Sequence, residues 1–107
     1  MAGEARTNVE LGPIGDKIIF ENDDIRVWSL TLKPGGRQPW HQHLLPYLVV
    51  PLTKGKNKMI FDDGREKETA ENPGEVLWRE PGIPHELYNI SDWDYSNVLV
   101  EVKNKAG

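Results

Sequence analysis

Three histidines are the side chains in this chain of 107 residues whose type and spacing best suit chemistry. His41 and His43 lie one residue apart in a segment that Pro39 favours as extended, and residues i and i+2 of an extended strand point to the same face. His85 follows a loop rich in proline and glycine that could aim its ring. Three neutral imidazoles suit a divalent ion such as Fe(II), Zn(II), Ni(II), Cu(II) or Mn(II). Because an isolated pair with this spacing is more often solvated surface, the surrounding sequence has to decide between the two interpretations.

The composition removes several other kinds of chemistry. The chain has no cysteine, which excludes disulfides, thiolate metal sites, iron–sulfur clusters and cysteine nucleophiles. Its 13 lysines and arginines against 17 aspartates and glutamates leave a net charge of −4, which does not suit binding to the phosphates of nucleic acid or anionic lipid. We therefore expect neither nucleic acid nor a membrane as a partner. The N-terminal residues lack the apolar centre of a signal peptide, so we predict a cytoplasmic protein.

The elements that position these histidines are predicted to be β-strands. Apolar and β-branched segments alternate with turn residues, and no segment has a helical apolar period of useful length. This pattern predicts a single-domain, all-β sandwich or barrel of eight or nine strands. The predicted strands cover residues 17–22, 25–32, 38–43, 47–52, 58–61, 65–70, 75–79, 85–90 and 95–103, with a turn at 53–57 and a hairpin turn at 62–64.

The chain is predicted to have three parts. Residues 17–103 form the barrel. Residues 1–16 are small, polar and interrupted by glycine and proline, which indicates an N-terminal arm that is either flexible or adds an edge strand. Residues 104–107 form a polar tail.

The context of the first two histidines resembles the first motif of the cupin superfamily. That motif places two histidines, separated by one residue, five residues after a glycine, and closes on a later glycine. Gly35, His41 and His43 have this spacing, and Gly55 follows.

The third histidine lies in a segment that resembles the second cupin motif. In that motif a glycine, a proline–glycine loop, a histidine and an asparagine follow one another at fixed distances. Gly74, Gly82, His85 and Asn89 match these distances, and the two motifs occur in the expected order across residues 35–89.

This resemblance implies a fold, a metal and an assembly. It implies an all-β cupin, which is a double-stranded β-helix or jelly-roll-like barrel. It also implies one divalent metal ion, with Fe(II) preferred, held by His41, His43 and His85. Small cupins commonly pair their sheets across subunits, so a homodimer is expected.

Two departures from the cupin motifs concern residues with possible catalytic roles. The glutamate ligand of the first motif would fall at Tyr47 or Leu48, and neither is a carboxylate. The resemblance therefore implies a three-histidine site with Tyr47 beside it, where a phenol hydroxyl can hydrogen-bond a bound water or substrate. Glu80 occupies the proline position of the second motif, with the proline displaced to Pro81. Glu80 is a candidate ligand or base, against the alternative of a surface or loop-stabilising role.

Two amides are candidates for supporting contacts around the histidines. Gln38 precedes them by three residues and could hydrogen-bond a ligand. Asn89 has the same strand parity as His85, and an outer hydrogen bond of this kind can orient an imidazole. The alternative for Asn89 is an ordinary residue at the end of a strand.

The tryptophans are predicted to have mostly structural roles. Trp40 alternates with His41 and should face away from the cavity, against a second sheet or a partner subunit. Trp28 shares a face with Leu30 and Leu32, which indicates core packing. Trp78 is predicted to pack in the core, with a place in the cavity as the alternative.

The resemblance leaves three functions open. A mononuclear non-haem dioxygenase with a three-histidine site leads the enzymatic interpretations. A non-catalytic module that binds a small ligand is the second, and a metal-dependent isomerase or lyase that uses Tyr47 or Glu80 as a base is the third. Fold by itself does not decide among them.

Overall fold

Nine β-strands run through the part of the chain that the computed structural model describes, residues 11–103. These residues contain no helix that is long and apolar enough to cross a membrane. The strands are β1 (Lys17–Glu21), β2 (Ile25–Leu32), β3 (Arg37–His41), β4 (Tyr47–Pro51), β5 (Gly55–Phe61), β6 (Glu66–Glu71), β7 (Leu77–Arg79), β8 (His85–Asn89) and β9 (Tyr95–Val102).

The strands form two antiparallel sheets that enclose one cavity. The five-stranded sheet has the order β1-β2-β9-β4-β7, and the four-stranded sheet has the order β3-β8-β5-β6. Side chains from both sheets line the space between them. This arrangement is the double-stranded β-helix that the resemblance to cupins implies.

The two-residue period of the strands decides which side chains face the interior. In β9 every second residue is buried, beginning with Tyr95 and ending with Glu101. The same alternation buries Tyr47 and Val49 in β4. Because both strands lie inside the five-stranded sheet, their inward faces form the wall opposite the histidines.

The apolar core is divided into two small clusters. Leu30, Leu32 and Leu87 form one, and Tyr47, Val49 and Leu99 form the other. The predicted core position of Trp28 is met in part, because Trp28 is half-buried against the second cluster while its indole N–H donates to Glu101 at 2.7 Å. The prediction for Trp78 is wrong. Strand alternation turns Trp78 to the outer face of β7, where it is 50% exposed.

Strand β5 begins earlier than predicted. Residues 53–57 are predicted as a turn, yet β5 starts at Gly55, which pairs with Glu71 of β6. A Cβ atom at Gly55 would lie 2.5 Å from Cε1 of Tyr95, so glycine is needed for the two sheets to approach here. The predicted hairpin at 62–64 is confirmed, with Gly64 at a φ of 92°.

The described part of the N-terminal arm, residues 11–16, packs against the barrel without forming a strand. Ile14 is buried, and the Gly12 N–H donates to the Trp40 carbonyl at 2.8 Å. The Asp16 carboxylate accepts the Thr31 N–H at 2.9 Å. Residues 1–10 of the predicted arm and the tail at 104–107 lie outside the described residues.

Candidate metal centre

The fold brings the three histidines together in the interior. His41 ends β3 and His85 begins β8, and these two residues are register partners in the four-stranded sheet. His43 lies just beyond β3, in the connection to β4. The ring centroids are 4.3 Å apart for His41 and His85, 5.1 Å for His41 and His43, and 5.4 Å for His43 and His85. One candidate ligand atom from each ring lies within 4.8 Å of the other two.

The ring of His41 is held in one tautomer by the backbone. Its Nδ1 lies 2.8 Å from the carbonyl oxygen of Pro39. A carbonyl oxygen only accepts hydrogen bonds, so Nδ1 carries the proton and Nε2 keeps its lone pair. This is the pattern by which proteins orient a histidine that binds a metal.

The ring of His43 has a nitrogen, unpaired within residues 11–103, that shows whether the three histidines suit a metal ion. Its Nδ1 is buried and has no hydrogen-bond partner among residues 11–103. A buried polar atom without a partner costs free energy, and a cation bound to that nitrogen would remove the cost. Tyr47 stacks on a face of this ring, with centroids 3.8 Å apart and planes 12° from parallel. The three histidines therefore fit a divalent cation.

Burial keeps all three imidazoles neutral at physiological pH. Desolvation, with a smaller effect from the neighbouring histidines, lowers the pKa of His43 from 6.5 to about 2. Desolvation likewise lowers the pKa of His85 to about 4, while a backbone hydrogen bond with Ile83 opposes the shift. The pKa of His41 is also lowered by burial, against its bond to Pro39. Neutral imidazoles have the lone pairs that a metal ion requires.

Tyr47 occupies the position that the first motif reserves for a carboxylate ligand, and its side chain faces the cavity. Burial raises the pKa of Tyr47 to about 12, although the nearby charge of Arg79 acts in the opposite direction. The hydroxyl is therefore protonated at neutral pH and can donate a hydrogen bond. Leu48, the other residue considered for the position, is next in the strand and pairs with Trp78 and Val100.

The other three candidate residues, Gln38, Glu80 and Asn89, differ in their position relative to the cavity that contains the histidines. Gln38 is buried and lines the cavity with the histidines. An irregularity in the pairing of β3 between Gln38 and His41 allows both side chains to face inward, although they are three residues apart. Glu80 is exposed at the mouth of the cavity and accepts the indole N–H of Trp78.

Asn89 is buried, but its hydrogen bonds organise a loop. Its Nδ2 donates to the carbonyl oxygens of Leu32 and Trp93, at 2.9 and 2.7 Å. Its Oδ1 accepts the N–H and the hydroxyl of Ser91, at 2.8 and 2.6 Å. None of these bonds reaches a histidine.

Several polar residues that the sequence analysis did not identify line the same cavity. They are Asn57, Glu71, Arg79 and Asn97. Each lies on the inward face of a strand, so the two-residue alternation could have placed them inside. Their polarity favours an outward position in a prediction from sequence, because charged and amide side chains in strands usually face water.

Comparisons with known proteins agree with the fold. No protein-family model matches the chain. A cupin domain from Bordetella pertussis superposes with a TM-score of 0.76 and 28% identity, over 82% of this chain and 91% of that one. The β-alanine degradation protein BauB of Pseudomonas aeruginosa is 28% identical over 83 residues, which cover 78% of this chain and 86% of that protein. An (R)-mandelonitrile lyase of Granulicella tundricola is 35% identical over 57 residues, 53% of this chain and 41% of that protein.

A two-sheet barrel with three inward histidines at its motif positions defines the cupin class of protein. The solved structures that resemble this chain include a cupin domain and a double-stranded β-helix domain. The chain therefore has the cupin fold, and it is similar in sequence and structure to a cupin domain.

Proposed function

We propose that this cupin binds one divalent metal ion through His41, His43 and His85 and acts on a small organic molecule as a dioxygenase-type oxidoreductase. The buried Nδ1 of His43, which lacks a partner among residues 11–103, is the observation that carries the metal-binding part of the proposal. When bound, Fe(II) would supply Lewis acidity and reactivity toward O2, and open coordination positions are what such chemistry requires.

The residues of the chain have three roles in this proposal. Pro39 holds the ring of His41 with Nε2 directed away from the backbone. Tyr47 stacks on the ring of His43 and limits its rotation. Apolar side chains such as Leu30, Val49 and Leu99 line much of the cavity and keep water from a bound substrate.

A metal-dependent lyase or isomerase is the second candidate. The relative from Granulicella tundricola is named as a lyase, which favours this reading for a chain that resembles it over 57 residues. In this case a redox-inert ion would suffice, and Tyr47 or Glu80 would be the candidate base. Burial keeps the Tyr47 hydroxyl protonated at neutral pH, which makes it a poor base, whereas the exposed Glu80 would have to reach inward from the mouth.

Metal analysis of the purified chain, followed by reaction assays, tests the proposal. The bound metal is measured by elemental analysis, and O2 consumption is then recorded with Fe(II) against diketones, thiols and small acids. We expect one metal ion per chain and O2 uptake that depends on both iron and substrate.

The other outcomes are distinct. Product formation without O2 uptake, supported equally by Zn(II), would favour the lyase or isomerase. Binding of a small molecule with no turnover would favour the non-catalytic module. A chain that takes up no divalent metal in either its isolated or its reconstituted form would contradict the metal site itself.

A further inference from the structure

The guanidinium of Arg79 lies in the wall of the cavity without a counter-ion. No carboxylate among residues 11–103 forms an ion pair with Arg79, and its Nε is buried with no hydrogen-bond partner. A cation that is partly removed from water and left unpaired is costly to the folded protein. An anion that enters the cavity would remove this cost.

Strand geometry directs Arg79 toward the histidines. In β7, Leu77 and Arg79 face the cavity while Trp78 faces outward. The Cα of Arg79 pairs with that of Tyr47, the residue that stacks on His43. The inner cavity and its outer mouth share Arg79, Tyr47 and two of the histidines as lining residues. A ligand on Arg79 would therefore lie beside the candidate metal centre.

Two orphaned acceptors lie in the wall of the same cavity. The Oδ1 atoms of Asn57 and Asn97 are buried and have no partners among residues 11–103. The amide nitrogens of these residues are already used, donating to Glu71 Oε1 at 2.5 Å and to the Tyr95 hydroxyl at 2.9 Å. Both oxygens therefore need a donor from outside, such as a hydroxyl group.

Glu71 is not a counter-ion for Arg79. Its carboxylate is buried in the same cavity, but no ion pair with Arg79 forms within 4.0 Å, and Asn57 binds Oε1. Beside the carboxylate of Glu71, the lining thus presents a guanidinium with no ion pair among residues 11–103 and two carbonyl oxygens with no donor. This polarity complements a molecule with an anionic group and a donor group.

We infer that the cavity binds a small hydroxycarboxylate, with the carboxylate on Arg79 and the hydroxyl donating to Asn57 or Asn97. The inference rests on the proposed function for its reaction and adds the substrate class. The open space is ≈ 40 Å³ in the inner cavity and ≈ 130 Å³ in the mouth. Since one water needs about 10–15 Å³ by this measure, the inner cavity holds roughly three waters, and only a short-chain acid fits.

Calorimetric titration of 3-hydroxypropionate into the metal-free chain of 107 residues tests the anchor directly. Arg79→Gln is expected to weaken binding about 10- to 100-fold, because it removes charge-assisted hydrogen bonds. Arg79→Lys keeps the charge without the planar fork and should give an intermediate affinity. Arg65→Gln is the matched control, since Arg65 is exposed directly after the 62–64 hairpin turn and pairs with Asp63. It should bind like the parent.

Neutral and truncated probes separate the two ends of the ligand. The isosteric amide, 3-hydroxypropanamide, should bind about 10-fold or more weakly than the acid, because it lacks the charge that Arg79 recognises. Propionate, which lacks the hydroxyl, should bind about five-fold more weakly than 3-hydroxypropionate. Equal affinities for acid and amide, or an unchanged affinity in both Arg79 variants, would overturn the anchor. Equal affinities for propionate and the hydroxy acid would overturn the role of the asparagines.

The unfolding midpoint of each variant and its Zn(II) affinity complete the experiment. Arg79→Gln should bind Zn(II) within about two-fold of the parent, because Arg79 is not one of the three converging ligands. Zn(II) binding without carboxylate binding would reject this inference and leave the metal site intact. Carboxylate binding without Zn(II) binding would reject the proposed metal enzyme and support the anchor.

Discussion

At the scale of single residues, the candidate site depends on protonation and tautomer. The carbonyl of Pro39 determines which nitrogen of His41 is free, and burial determines that all three rings are neutral. The absence of a carboxylate at position 47 leaves three neutral protein ligands, so a bound divalent ion would keep its positive charge within the group. A nearby anionic substrate would therefore be attracted both to the ion and to Arg79.

Removing a single histidine should abolish most metal binding without unfolding the chain. His41→Ala and His85→Ala are each expected to lose more than about 100-fold in metal affinity, since loss of an outer partner alone typically costs 10- to 100-fold. The measurement is competitive titration with a metal indicator, with circular dichroism to monitor the fold. Gln42→Ala is the control, because Gln42 hydrogen-bonds the Gly82 carbonyl at 3.2 Å and is not a candidate ligand. Parent-like affinity in both histidine variants would contradict the three-histidine site.

The stability of the metal-free protein should fall as the pH drops below about 6.5. The folded pKa of each histidine is lowered, so the unfolded chain binds more protons and each buried ring stabilises the fold fully only above its unfolded pKa. Each histidine contributes a slope of up to about 1.4 kcal/mol per pH unit. The lowered pKa values of Glu21 and Asp63 act only below their usual values of 4.5 and 3.8, outside this window.

Chemical denaturation between pH 8 and pH 5 measures this slope. In His43→Gln the free energy of unfolding should depend less steeply on pH, by the equivalent of one proton, because glutamine does not titrate. A free energy of unfolding that stays constant across this range would show that the histidines are not buried as neutral rings.

At the scale of elements, close contact between the two sheets depends on a glycine at the start of β5. Gly55 at the start of β5 lies against the ring of Tyr95 in β9, and an added Cβ would also lie 2.8 Å from Glu71 Oε1. These contacts position the inner end of the cavity, where Asn57 and Asn97 lie. Strand β5 therefore combines a packing requirement at Gly55 with a polar side chain, Asn57, in the cavity wall.

Gly55→Ala should destabilise the fold by about 1–3 kcal/mol, because the added methyl group would overlap the buried ring of Tyr95. The midpoint of urea unfolding measures the change. Gly82→Ala is the matched control, since a Cβ there meets no atom within 4 Å and its φ lies outside the left-handed region. Similar stabilities for the two variants would mean that the sheets can separate at β5 at little cost.

At the scale of the whole molecule, the five-stranded sheet ends in an exposed apolar edge. Strand β1 presents Ile18, Ile19 and Phe20, which are 45%, 50% and 52% exposed. An edge strand with unpaired backbone groups and apolar side chains is a surface that pairs readily with another chain. We therefore expect the predicted homodimer to form through this surface.

Sedimentation should give twice the chain mass of 12.2 kDa at micromolar concentration. Ile19→Lys combined with Phe20→Lys should shift the protein to a single chain, because a charged, apolar-depleted edge resists pairing. Val76→Lys, at a position that is 59% exposed before β7, should remain a dimer. A parent protein with the mass of one chain at every concentration would show that the homodimer prediction is wrong.

The amino-acid sequence was sufficient for the class of fold and for the three histidines. Strand β2 has the bounds that were predicted, and the hairpin at 62–64 is where its glycine indicated. Such features follow from local conformational preferences, because β-branched residues favour extended backbone and glycine tolerates a positive φ whatever the rest of the chain does. The histidine spacing was informative because two motifs had to match together.

Only the tertiary structure decided which other side chains share the cavity. Gln38 faces inward because the pairing of β3 with β8 shifts between it and His41, and a shift of register depends on the partner strand. Arg79, Asn57 and Asn97 come from β7, β5 and β9, which are far apart in sequence. Their convergence on one cavity arises from how the two sheets close. The chemistry of the residues is thus local, whereas their arrangement around one space is a property of the folded barrel.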